Sequence, residues 1–167
     1  MRTPPLLPVI IGTGFGAGFW PWGPGTAGAV LATAVWLALH SVCTFFALET
    51  TTLVLILSFT ILGTWATQRL MPFWGDDPSR VVVDEMVGVW VALVPAADWR
   101  DGQLTDADWW MALAALLLFR FFDIVKPLGI RALDRRRGAF WVMADDLLAG
   151  LYAAVLVLLI QTVKDYI

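Results

Sequence analysis

The chain has 167 residues, 59% of them hydrophobic, with a mean hydropathy of +0.76 and a formal charge of −3. That apolar share, well above the roughly 45–50% of soluble domains, excludes an ordinary water-soluble fold and points to an integral membrane protein of one domain, residues 1–167. No basic stripe with stacking aromatics lies outside the apolar runs, which excludes nucleic acid as a partner.

The N-terminus, MRTPPLLPVIIGTGFG, has one Arg and a short apolar run, but prolines and glycines interrupt it and no small-x-small cleavage site follows. A cleaved signal peptide is not expected. Residues 8–25 are apolar but rich in Gly and Pro, so they predict a loop or a broken, re-entrant element whose backbone must be satisfied by protein or water. Five hydrophobic runs follow, at about 27–46, 51–71, 81–97, 109–126 and 142–163, each at or near the ~20 residues that cross a hydrocarbon core as helix. The expected fold is therefore all-α: a polytopic membrane bundle of about five hydrophobic helices plus the Gly/Pro-rich N-terminal segment. No internal repeat is visible.

Lys and Arg set the expected orientation, because they are enriched in cytoplasmic loops. With the N-terminus inside, Arg2, Arg69, Arg80, Lys126, Arg131, Arg135, Arg136 and Arg137 fall on the cytoplasmic side, Arg100 and Lys164 outside, and Arg120 within a helix. The same arrangement gathers polar groups at one membrane level. Asp84 and Glu85 lie near the start of the third run, Arg120 and Asp123 at the end of the fourth, Asp145 and Asp146 at the start of the fifth, and Pro24-Gly25-Thr26 before the first.

Ionisable groups within membrane helices are costly and normally face the bundle interior, pair, or mark a functional path. Arg120 and Lys126 do not neutralise five carboxylates, so the surplus points to a hard divalent cation; Mg²⁺ takes oxygen ligands from one or two carboxylates, water and substrate phosphate. Residues three or four apart share a helix face, which aligns Arg120 with Asp123, Asp84 with Gly88 and Asp146 with Gly150. Small residues there let helices approach closely.

Plainer readings stand beside these. Asp145-Asp146 fits a helix cap as well as a ligand pair. Arg135-Arg136-Arg137 reads as a topology signal with attraction to anionic lipid. Asp76-Asp77-Pro78-Ser79 reads as a solvated loop leading into a helix, and Trp109-Trp110 as interfacial anchors. The single cysteine, Cys43, excludes an intrachain disulfide and a thiolate zinc cluster. Cys43, the lone His40 and the Asp106-x-Asp108 pair all fall on the outer side, which leaves metal-assisted chemistry on an anionic, membrane-embedded substrate.

The segments GFGAGFWPWGPGTAGA (14–29), DDPSRVVVDEMVGVWVAL (76–93), FRFFDIVKPLGIRALDRR (119–136) and VMADDLLAG (142–150) together closely resemble the phosphatidylglycerophosphatase A family. The resemblance implies a Mg²⁺-dependent lipid phosphatase of the bacterial inner membrane, multi-pass, which removes the terminal phosphate of phosphatidylglycerophosphate at the cytoplasmic head-group level. Its acidic motif falls on Asp77, Asp84 and Glu85, and its Arg-x-x-Asp-x-x-Lys-Pro motif on Arg120, Asp123, Lys126 and Pro127. A later Arg and Asp fall on Arg131 and Asp134, the closing Asp pair on Asp145 and Asp146, and the Pro-Gly-Thr loop on Pro24, Gly25 and Thr26. Asp77 thereby moves from solvated loop to candidate substrate-binding residue, with Pro24, Gly25, Thr26, Arg131 and Asp134. The expected metal ligands are Asp84, Glu85 and Asp145 or Asp146. Arg120, Lys126 and Arg131 would hold phosphate oxygens and Asp123 would orient Arg120 or share the metal, with water or a carboxylate as nucleophile.

Two positions depart from the family pattern: a Gly-Gly-x-Gly run is here Gly138-Ala139-Phe140-Trp141, and a small polar residue after Gly28 is Ala29. Two competing functions remain in view. A cation or proton transporter would continue polar groups toward the outer face, whereas residues 87–97 and 149–160 are almost wholly apolar. A non-catalytic subunit with a structural polar core would balance its buried charges, and the acidic excess does not.

Overall fold

The computed structural model describes residues 3–97, 105–127 and 129–164. Seven helices form without any strand among those residues: α1 Leu6–Gly12, α2 Pro24–His40, α3 Phe45–Trp74, α4 Val83–Leu93, α5 Asp106–Val125, α6 Ile130–Asp134 and α7 Ala139–Lys164. Arg2 and Arg100, which entered the orientation argument, lie outside the described residues, as does the side chain of Lys164.

The ends of these helices follow from local sequence. Pro24 occupies the first position of α2, where a missing N–H costs nothing, behind Gly23 at φ 103°. Thr105 and Asp108 form a reciprocal capping box at the start of α5. Gly75 closes α3 at φ 100°. Within α3, the hydroxyls of Thr52, Thr60 and Thr64 donate to the carbonyls four residues earlier, which hides their polarity in an apolar helix.

The 8–25 segment is broken, as its glycines and prolines predict. The short α1 gives way to left-handed Gly14, Phe15 and Gly16 and a 3-10 turn at Ala17–Phe19. It is tied to the chain ahead of α4, where the Val82 N–H donates to the Gly12 carbonyl at 2.8 Å. Gly18 lies so close to the Arg80 carbonyl that a Cβ there has no room.

The expectation of about five hydrophobic crossings is not met. Among the described residues, only α3 and α7 are both long and apolar enough to cross a membrane. The 81–97 run is an eleven-residue helix, about 17 Å at 1.5 Å per residue, followed by a 3-10 turn at Val94–Ala96 around Pro95. Nine residues of α4 are buried, and α2, α3, α5 and α7 pack around it, so its apolar composition answers to a protein core rather than to lipid. The 27–46 run ends at His40 after seventeen helical residues, and α5 carries Asp106, Asp108, Arg120 and Asp123. By contrast, only 11% of the most apolar window of α3 is buried, and it turns Phe46, Leu53, Val54, Leu57 and Ile61 outward, which is not how the core helix of a soluble fold behaves.

Candidate active site

The adjacent carboxylates of VVVDEMVGVW sit where α4 begins. Asp84 and Glu85 occupy its first turn, where backbone N–H groups lack intrahelical partners and negative charge is favoured by the helix dipole. The Glu85 N–H donates to Asp84 Oδ1 at 3.1 Å. Adjacent residues diverge by about 100° around a helix, yet both line one cavity, because the N-terminal end of α4 forms part of its wall.

Asp145 and Asp146 lie well inside α7, six and seven residues beyond its first residue, so the helix-cap reading of that pair does not hold. Both line the same cavity. One carboxylate oxygen each from Asp84, Glu85 and Asp146 come within 4.8 Å of one another. Helix proximity makes this possible: a Cβ on Gly150 would collide with the Gly88 carbonyl, and one on Gly88 with the Phe119 ring and the Asp146 carbonyl. From α2, Gly25 is equally tight, since a Cβ there would strike the Glu85 carboxylate. A glycine one helical turn from each of Asp84 and Asp146 thus sets how closely the acids can meet.

Two cations stand beside the acids. Arg120 Nη1 donates to Asp123 Oδ2 at 2.5 Å, while its Nε, and Oε2 of Glu85, are buried without a hydrogen-bond partner. Lys126, in a left-handed conformation at the end of α5, donates to Asp134 at 2.6 Å and to Asp145 at 2.5 Å. Burial alone would lower the Lys126 pKa, but these two carboxylates outweigh it and hold the ammonium above its ordinary value. Asp145 is therefore engaged by lysine, and Asp146 is the member of the pair that meets Asp84 and Glu85.

The cavity holds about 390 Å³. Its deep end is formed by the nearly buried Asp84, Asp145 and Asp146, at 8%, 5% and 4% exposure. The more exposed part of its lining comes from Gly23, Pro24, Asp76, Asp77, Ser79, Asp134, Arg135, Arg136 and Arg137. Among these residues, Arg137 approaches Asp76 at 3.6 Å. Of the expected site residues, Pro24, Gly25, Asp77, Asp84, Glu85, Arg120, Lys126, Asp134, Asp145 and Asp146 share this wall. Asp123 stands behind Arg120. Thr26 faces outward and Arg131 donates to the Val125 carbonyl at 3.2 Å, so neither lines the cavity.

Asp76, Ser79 and Arg135 to Arg137 were not expected there. The signal that would have placed the arginines is the brevity of α6, whose five residues end at Asp134 and return the chain directly to the start of α7. At the far end of α2, His40 meets Asp108 at 3.1 Å, and neither of them nor Cys43 lines the cavity.

The donor set at the deep end is all carboxylate oxygen, which suits a hard divalent cation better than zinc or copper. The unpartnered Oε2 of Glu85 and the close approach of three like-charged groups both fit a missing positive partner. Asp84, Glu85 and Asp146 are the residues that would hold it.

The family model for phosphatidylglycerophosphatase A matches residues 10–161. The chain belongs to the phosphatidylglycerophosphatase A family. It is 52% identical to a Bacteroides thetaiotaomicron protein named "Putative phosphatidylinositol-3-phosphatase", over 94% of this chain and 95% of that protein. It is 35% identical to the phosphatidylglycerophosphatase A of Haemophilus influenzae, over 91% of this chain and 87% of the relative, and 32% identical to that of Escherichia coli, over 87% and 78%. No solved structure matches. Family membership makes the chain an enzyme, a lipid phosphatase, and thereby sets aside the transporter and structural-subunit readings.

Proposed function

We propose that the chain is a Mg²⁺-dependent lipid phosphatase of the bacterial inner membrane that hydrolyses phosphatidylglycerophosphate to phosphatidylglycerol and phosphate, with its site at the cytoplasmic head-group level. The observation that carries the reading is the meeting of Asp84, Glu85 and Asp146 at the buried end of a cavity whose wall also carries Arg120, Lys126 and Arg135 to Arg137. Membership of the family and two relatives named phosphatidylglycerophosphatase A support the substrate.

Hydrolysis adds water at phosphorus and breaks the bond to the headgroup oxygen, which leaves as the alcohol after gaining a proton. When bound by the three carboxylates, Mg²⁺ supplies Lewis-acid stabilisation of the phosphoryl charge. Arg120, immobilised by Asp123, presents guanidinium N–H groups in a planar fork suited to phosphate oxygens. Lys126, held by Asp134 and Asp145, keeps its proton at working pH and adds fixed positive charge beside the acids. A carboxylate of the triad that is not fully engaged is placed to take the proton of the attacking water.

A second substrate reading has an observation of its own. The 52%-identical relative is named for a phosphatidylinositol 3-phosphate activity, and that lipid likewise carries a phosphomonoester on a polyol joined to diacylglycerol by a phosphodiester. The test is phosphate release by purified protein in detergent from each lipid, with Mg²⁺ and with chelator. Metal-dependent release from phosphatidylglycerophosphate is expected; faster release from the inositol lipid would transfer the assignment to that headgroup. Release from neither lipid would refute the lipid-phosphatase reading.

A further inference from the structure

The cations that line the cavity divide into groups that are already neutralised and groups that are not. Lys126 is paired with two carboxylates and Arg120 with Asp123, while Arg137 approaches Asp76. Among the described residues no carboxylate lies within ion-pair distance of Arg136. Instead its guanidinium carbon sits 4.2 Å from the centroid of the Trp141 ring, well within cation–π range. Trp141 is in turn half-buried and meets Phe140 edge-on at 5.1 Å. Both aromatics come from Gly138-Ala139-Phe140-Trp141, the run that departs from the glycine-rich pattern.

Stacking fixes the plane of an exposed arginine that would otherwise sample many rotamers, while leaving its N–H edge free. Arg136 is exposed and lines the same cavity as the buried Asp84, Asp145 and Asp146, at its solvent-facing part. A phosphorylated glycerophospholipid brings two anions to such a cavity: the monoester to be cleaved, and the phosphodiester that ties the headgroup to diacylglycerol. With the monoester directed to the deep end, the diester remains at the mouth.

We propose that Arg136, oriented by stacking on Trp141, binds the phosphodiester of the lipid substrate and thereby selects headgroups carrying both phosphates. Arg136 is a substrate-recognition residue remote from the reacting phosphorus, and Trp141 is a positioning residue that acts through it. The inference rests on the lipid-phosphatase reading, and adds to it a residue pair that sets substrate choice.

The experiment is steady-state phosphate release from phosphatidylglycerophosphate in mixed micelles by wild type, Arg136→Ala, Trp141→Ala, Trp141→Phe and the Arg136→Ala/Trp141→Ala double variant, with inorganic phosphate as a competing ligand of the deep end. Arg136→Ala is expected to raise KM about tenfold while kcat stays within about twofold, the signature of lost uniform binding. Trp141→Ala raises KM in the same direction, Trp141→Phe restores most of it, and the double variant is no worse than Arg136→Ala alone. An unchanged KM in Arg136→Ala, or additive effects in the double variant, would overturn the proposal. So would a matching loss of inhibition by inorganic phosphate, which would put Arg136 on the monoester instead. Wild type that releases no phosphate from either lipid would refute the underlying function, an outcome distinct from active variants with unaltered KM.

Discussion

Glu85 is confined on several sides. Gly25 leaves no space beside it, one of its oxygens is buried without a hydrogen-bond partner, and Asp84 and Asp146 approach it closely. Glu85→Gln keeps the shape and removes the charge, so Mg²⁺-dependent phosphate release should fall about a hundredfold or more while the protein still elutes as a folded species from size exclusion. Turnover within a few-fold of wild type would take Glu85 out of the site. Lys126 serves a different purpose. Lys126→Met leaves Asp145 and Asp134 without their shared cation, and breaking such a partly buried pair by removing one partner costs up to about 3–5 kcal/mol. A lowered midpoint of thermal inactivation together with lost activity is expected, and a midpoint unchanged from wild type would argue that the pair contributes no stability. What sequence reading left open at this scale was which of Asp145 and Asp146 joins Asp84 and Glu85. A helix turns by about 100° per residue, and only the packing of α7 against α4 and α5 decides which neighbour faces the acids and which faces Lys126.

Helix contacts decide whether those acids can meet at all. The alignment of Asp84 with Gly88 and of Asp146 with Gly150 was legible in the i, i+4 spacing, and α4 and α7 do cross backbone to backbone there. Gly150→Val must push the helices apart, because no Cβ fits against the Gly88 carbonyl. Overpacking of this kind costs about 1–3 kcal/mol, and the deeper consequence is separation of Asp146 from Asp84. Activity should be lost in Gly150→Val even under conditions where circular dichroism shows full helix content; full activity would mean that the acids need not converge. The number of crossings was not legible in the same way. Hydropathy does not distinguish an apolar run that faces lipid from one that other helices surround, and α4 is the second kind. Nor did it reveal the arginine rim, whose position depends on the five-residue length of α6.

Over the whole molecule, polar chemistry is concentrated at one end of the bundle. The cavity gathers residues from the starts of α2 and α4, the N-terminal third of α7, the ends of α5 and α6, and the loop after α3. At the other end of the bundle His40 pairs with Asp108, and the Gln161 amide donates to the Ala96 carbonyl. The proposed orientation puts the cavity end in the cytoplasm. In a Cys43→Ser background, Ser79→Cys at the rim should react with a membrane-impermeant maleimide in inside-out vesicles, and Ser41→Cys beyond α2 in right-side-out vesicles. Labelling of both from the same face would contradict the assignment of the two ends to opposite sides.

The proposed function requires that Asp84, Glu85 and Asp146 together hold the metal on which lipid hydrolysis depends. A Mg²⁺ titration of phosphate release by wild type, Asp146→Asn and Asp145→Asn tests it most directly. Chelator-sensitive release is expected in wild type, loss of release or a Mg²⁺ requirement raised at least about tenfold in Asp146→Asn, and a near-normal Mg²⁺ requirement in whatever activity Asp145→Asn retains. Chelator-resistant release in wild type, or a Mg²⁺ requirement shifted by Asp145→Asn and not by Asp146→Asn, would contradict it.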